Sequence, residues 1–171
     1  MTRKITLSCA FVFVIGCFAV ALAKPDFSGA WVMDRARSFG LPGNMNQTMM
    51  VKQTETQIEV ETKLMQPGNE RTVNDVYVLD GKEYDFSPPA PANAKPDAPK
   101  PQGKRTSNWL PGGDGMIATE VITNQTEKGP TTTQITKKWT FTTDGELIIN
   151  FFIDGADYSY ETKRIFARKK D

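Results

Sequence analysis

From Thr56 to Met65 polar and apolar residues alternate. Ile58, Val60 and Leu64 fall on one side, and Gln57, Glu59, Glu61 and Lys63 on the other. A period of two describes a strand with one buried and one wet face. Thr131 to Thr142 repeats the pattern, with Ile135, Trp139 and Phe141 opposite Thr132, Gln134, Thr136, Lys138 and Thr140. In Glu146 to Asp154, Leu147, Ile149, Phe151 and Ile153 share one face while Ile148 and Phe152 occupy the other, which predicts a strand covered on both sides. Asp157 to Arg168 reads as the last strand, with Tyr158, Tyr160 and Phe166 on the face of Arg164. No long stretch carries apolar residues at i, i+3, i+4 and i+7, so no helix is predicted.

Turn chemistry separates these runs. Asp144-Gly145 and Asp80-Gly81 read as two-residue hairpin turns, and Pro67-Gly68-Asn69 and Pro111 to Gly115 as further turns. Strand and turn alternating at short intervals predict an antiparallel up-and-down meander of about nine strands. Closing such a meander removes its exposed edges, so the expected fold class is all-β, an up-and-down meander closed into a barrel. Residues 87–103 break the pattern, because they hold six of the eleven prolines. Lacking donors, that segment cannot enter a ladder and is expected to be an extended Pro-rich loop, more simply a stiff spacer than a docking strip.

The N-terminus changes how composition is read. Met1 to Lys4 is basic, Ile5 to Leu22 almost wholly apolar, and Ala21-Leu22-Ala23 a small-x-small cleavage site. Residues 1–23 therefore read as a signal peptide and 24–171 as a single barrel domain. Val14-Ile15-Gly16-Cys17 also resembles a lipobox, which would anchor the protein to a membrane through a lipidated Cys17; Cys17 as a small apolar residue of the signal is the plainer reading. Either route leads to export, to the periplasm or outside the cell. Removing 23 of the 171 residues leaves 148, with nineteen Lys and Arg against twenty Asp and Glu. Neither His nor Cys remains, which excludes a Ser-His-Asp triad, a Cys nucleophile, a His or Cys zinc site and a His-ligated haem. The near-zero charge gives no electrostatic case for nucleic acid.

At Asp26-Phe27-Ser28-Gly29-Ala30-Trp31 the chain resembles the lipocalin and wider calycin barrels, in which a Gly-x-Trp opens the first strand and an Arg lies in the last. The polar run Asp34 to Ser38, then Lys138-Trp139-Thr140 with Asp144-Gly145, and Lys163-Arg164-Ile165-Phe166, are similar to a group of small exported bacterial lipocalin-like proteins whose function is uncharacterised. The resemblance implies that Trp31 plugs one end of the barrel beneath a guanidinium. Arg164 is the expected partner, with Arg168 the alternative on the same face. Gly29 lets the strand pass close by. These roles are structural rather than catalytic.

A small barrel has either a packed interior or room for one small ligand. Tyr77, Trp139, Phe141, Phe151, Tyr158 and Tyr160 are the candidate ligand-binding residues, since aromatics with polar handles suit an amphipathic guest. Ordinary core packing is the competing account of each. Glu120, Asp75, Glu83 and Glu161 are the remaining acid–base groups, but nothing in the sequence pairs two of them, and a lone strand Glu is expected on the wet face. Asp154 to Asp157 and Gly112 to Gly115 carry too few oxygen ligands for calcium and read as turns. The expectation is a non-enzymatic protein without metal or cofactor, whose partner is a small apolar or amphipathic molecule. A cell-envelope module acting through its outer face and Pro-rich loop is the alternative. The sequence leaves the oligomeric state open.

Overall fold

The computed structural model describes residues 23–41, 43–89, 99–126 and 129–170. The signal segment, apart from Ala23, and with it Cys17, lies outside them, as does most of the Pro-rich loop. Ten strands follow in order: β1 Gly29–Met33, β2 Asn46–Gln53, β3 Gln57–Gln66, β4 Asn69–Val78, β5 Glu83–Phe86, β6 Gln102–Trp109, β7 Gly115–Thr126, β8 Gly129–Phe141, β9 Leu147–Asp154 and β10 Ser159–Arg168. All belong to one antiparallel sheet in the order β4-β3-β2-β1-β10-β9-β8-β7-β6-β5. No helix occurs among the described residues.

The first and last strands meet, with Trp31 opposite Arg168 and Met33 opposite Phe166. That pairing joins two meanders into one strongly curled sheet, a half-barrel. The ladder stops at β4 and β5, its two edges. Asp80-Gly81 was expected to fold these two strands into a hairpin, and it does not. Asp80 Oδ1 accepts from the Lys82 amide at 3.0 Å, and the Gly81 amide donates to the Ser107 carbonyl of β6 at 3.1 Å. This turn therefore hands the chain on to β6, and β5 pairs there instead, Glu83 opposite Thr106.

The other turns act as local chemistry dictates. Pro67 and Gly68 (φ 76°) form the two-residue link between Gln66 and Asn69. Asp144-Gly145 makes a hairpin one residue longer than expected, because the bonded pair is Thr142 and Glu146, with Gly145 at φ 79°. Gln102 and Gly103, placed in the Pro-rich loop by sequence, already belong to β6.

The concave face carries the core. Phe27, Trp31, Ile58, Met116, Leu147 and Phe166 are fully buried. Phe27 packs against Phe141 at 5.0 Å and Trp139 at 5.7 Å, and Phe141 against Trp31 at 5.9 Å, forming an aromatic floor at one end. The Trp31 indole donates to the Phe27 carbonyl at 2.9 Å, so its one polar atom is satisfied. The cation over its ring is Arg168, 4.7 Å from the centroid, and not Arg164. Register decides between them: Arg168 lies directly opposite Trp31, and Arg164 sits four residues further along β10, about 13 Å away. Gly29, at φ 130°, makes room, for a Cβ there would come within 2.6 Å of an Arg168 guanidinium nitrogen. On the convex side β9 is less covered than its sequence predicts, since Phe152 is 41% exposed.

Candidate functional site

Above the aromatic floor the curled sheet lines an open-sided cavity of about 280 Å³. Met49, Val60, Ile135, Ile149 and Ile153 supply apolar wall. A second hollow of about 360 Å³ opens at the rim, where Leu64, Arg71, Pro89 and Ile122 line both spaces. Pro88 and Pro101 line this outer hollow too, so both described flanks of the Pro-rich loop reach the cavity mouth.

The structure separates the six candidate aromatics. Tyr77, Trp139 and Phe151 line the cavity. Phe141 belongs to the floor beneath it. Tyr158 and Tyr160 pack together at 5.9 Å but stand half exposed at the end of β10, where Tyr158 Oη lies 3.2 Å from Thr133 Oγ1.

Charge is what the sequence reading missed. Strict alternation puts Arg105, Glu120 and Lys137 on the concave face, and the structure buries the first two there and part-buries Lys137. Arg105 is 4% exposed and Glu120 2%. The Arg105 guanidinium donates Nε to Glu120 Oε1 at 2.9 Å and one Nη to the Val76 carbonyl at 2.8 Å, and it pairs with the Asp75 carboxylate. It also lies over the rings of Tyr77 at 4.4 Å and Phe86 at 4.2 Å. One side chain of β6 thus grips β4, β5 and β7 across the gap where the ladder is missing. Lys137 donates to Glu120 Oε1 at 2.6 Å and to Tyr77 Oη at 3.1 Å. Burial works against its ammonium, but the Tyr77 oxygen and the carboxylates of Glu120 and Asp75 outweigh that and hold its pKa above the ordinary lysine value. Burial likewise pushes the Tyr77 phenol up to about 12.

Arg164 projects from β10 into the same cavity. It lies over the Phe151 ring at 4.1 Å and donates one Nη to Gln47 Oε1 at 2.7 Å. Its Nε is buried without a hydrogen-bond partner, and no carboxylate among the described residues lies within 4 Å of the guanidinium. Desolvation lowers its pKa to about 10, which still leaves it charged at neutral pH.

Glu120 and Asp75 are brought together, contrary to the expectation of an isolated Glu on a wet face, but as joint counter-ions of Arg105. Glu83 pairs with Lys104 on the surface at 2.5 Å, and Glu161 is exposed. No cluster of potential metal ligands occurs among the described residues. A scan against protein-family models finds no match to this chain, and a search of curated proteins finds none either.

Proposed function

We propose that this chain is an exported, non-enzymatic protein of lipocalin-like type that binds one small amphipathic molecule inside its curled sheet. The observation that carries this reading is the cavity itself: about 280 Å³, walled by aliphatic and aromatic side chains, with buried charged groups set among them. That volume falls just below the range of small-molecule sites, roughly 300–1,000 Å³, and the outer hollow extends it. The lipocalin-like reading is supported by the meander, the contact of first and last strands, and the Gly29, Trp31 and Arg168 arrangement. A binding role is favoured over catalysis because both buried carboxylates are engaged with cations rather than turned to open space. Export to the periplasm or the cell exterior follows from the signal-like N-terminus, with a lipid anchor at Cys17 as the other form.

The test is a fluorescence titration with N-phenyl-1-naphthylamine, a small neutral environment-sensitive dye, together with a set of single-chain amphiphiles. One saturable site per chain, with dye displaced by amphiphile, is the expected result. Absence of any saturable component for dye and amphiphiles alike would overturn the reading.

A further inference from the structure

The cavity holds two arginines in opposite electrostatic states, and the difference points to the ligand. Arg105 is surrounded by acceptors: two carboxylates, a carbonyl and two ring faces. Arg164, in the same lining, has one neutral amide oxygen and one ring. A buried guanidinium without a counter-ion is costly, and proteins ordinarily neutralise it. The lining as a whole repeats the imbalance, for Arg71, Arg105, Lys137 and Arg164 face only Asp75 and Glu120.

The buried unmatched atoms in the lining are both donors. Gln47 occupies Nη1 of Arg164, which leaves the edge formed by Nε and Nη2 without a hydrogen bond among the described residues. The Trp139 indole N–H, also in the lining, is buried without an acceptor. Trp139, Ile149 and Arg164 occupy one cross-strand row, Trp139 opposite Ile149 and Ile149 opposite Arg164, so the two donors stand about 10 Å apart at the backbone and reach inward from the same level. Arginine and tryptophan side chains donate only. A water molecule can satisfy a donor but supplies no charge. What the site lacks is acceptor oxygens that carry a negative charge.

We infer that the ligand is an anionic amphiphile whose carboxylate pairs with the free edge of Arg164, while its apolar body lies along Ile135, Ile149, Phe151 and Ile153. This rests on the binding function proposed above and names the chemical class of its ligand. The guanidinium edge matches a planar carboxylate in two-point geometry. Gln47 acts as a positioning residue, fixing the side chain through Nη1 so that Nε and Nη2 face the guest.

The experiment is calorimetric titration of the purified protein with three ten-carbon chains that differ only in the head: decanoate, decanol and decyltrimethylammonium. Decanoate is expected to bind at one site at least 10-fold more tightly than decanol, and the cation not to bind. Arg164→Met should bring decanoate down to the affinity of decanol, a loss of roughly 10- to 100-fold by the usual strength of a charge-assisted pair, while decanol is unchanged. Gln47→Leu, which keeps the cation but frees it to move, should cost decanoate only a few-fold. Unaltered decanol binding by Arg164→Met also shows that the variant is folded. Equal affinity for decanoate and decanol, or decanoate binding indifferent to Arg164→Met, overturns the anion assignment and leaves the binding reading standing. Failure of all three chains and of the neutral dye removes both.

Discussion

Two arginines line the same cavity, one buried and one part-buried, and they do different work. Arg105 is saturated, holding two carboxylates and a backbone carbonyl and lying over two aromatic rings. It closes a gap that backbone hydrogen bonds leave open, since β4 and β5 have no ladder between them. Elsewhere in the lining Arg164 sits over intact ladder between β10 and β9, and its one hydrogen bond reaches Gln47 of β2. The first arrangement is what a fold requires of a buried charge. The second leaves its charge uncompensated, which is the pattern of a group retained for something that binds to it.

The sharpest way to break this comparison is to remove each guanidinium in turn. Arg105→Met leaves Glu120 and Asp75 without their shared partner and unclasps the seam. It should lower unfolding stability by about 3–5 kcal/mol in a urea titration, and a loss below about 1 kcal/mol would show that the seam holds without it. Arg164→Met combined with Gln47→Leu removes an unmatched charge and the amide that would be stranded with it. The unliganded protein should become about 1–3 kcal/mol more stable. The pH dependence follows from the sign of the shift. A base whose folded pKa lies below its unfolded value carries its penalty at every pH under the folded value, here about 10, and loses it only as pH rises from there towards 12.5. The gain should therefore be flat between roughly pH 5 and 9, and a gain that vanished within that range would assign it to another group.

Smaller effects sharpen the contrast by showing what surface arginines do. Arg168→Gln removes an exposed cation from the face of Trp31 and should cost about 0.5–1 kcal/mol, read as a small drop in melting temperature. A cost equal to that of Arg105→Met would mean that the floor, and not the seam, is the weak point of the sheet. Arg37 bridges Asp34 and Glu146 on the outside, and hydrogen bonds from its guanidinium hold both carboxyls below their ordinary values of 3.8 and 4.5. That contribution is present above those values and lost as pH falls through the lowered ones. Arg37→Ala should thus lower the melting temperature slightly at pH 7, with wild type and variant converging once both acids are protonated.

The strands were legible because their alternation is a property of neighbours in sequence. The expected run of residues 56–65 became β3, 57–66, and the run 157–168 became β10, 159–168, within the usual slack of strand ends. Asp80-Gly81 misled because the dipeptide encodes a reversal but not the identity of the strand that receives the chain. Lys137 was legible in principle, since it falls between Ile135 and Trp139 on the apolar face. A lysine inside a strand pattern is normally assigned to water, and only partners such as Tyr77, 60 residues away, make its burial tenable. Arg164 and Arg168 lie four residues apart on one face, and nothing local distinguishes them. The register of β10 against β1 does, by setting Arg168 beside Trp31 and leaving Arg164 opposite Ile149.

By itself the sequence determined the period-two pattern, the turns that punctuate it, and the absence of thiol and imidazole chemistry from the region after the signal-like segment. Only the tertiary structure decided which charges share an interior. Gln47 meets Arg164 across 117 residues and Asp75 meets Arg105 across 30, distances over which local propensity carries no information. Whether a buried cation finds a counter-ion is a property of curvature and register, fixed only when the sheet closes upon itself as far as this one does.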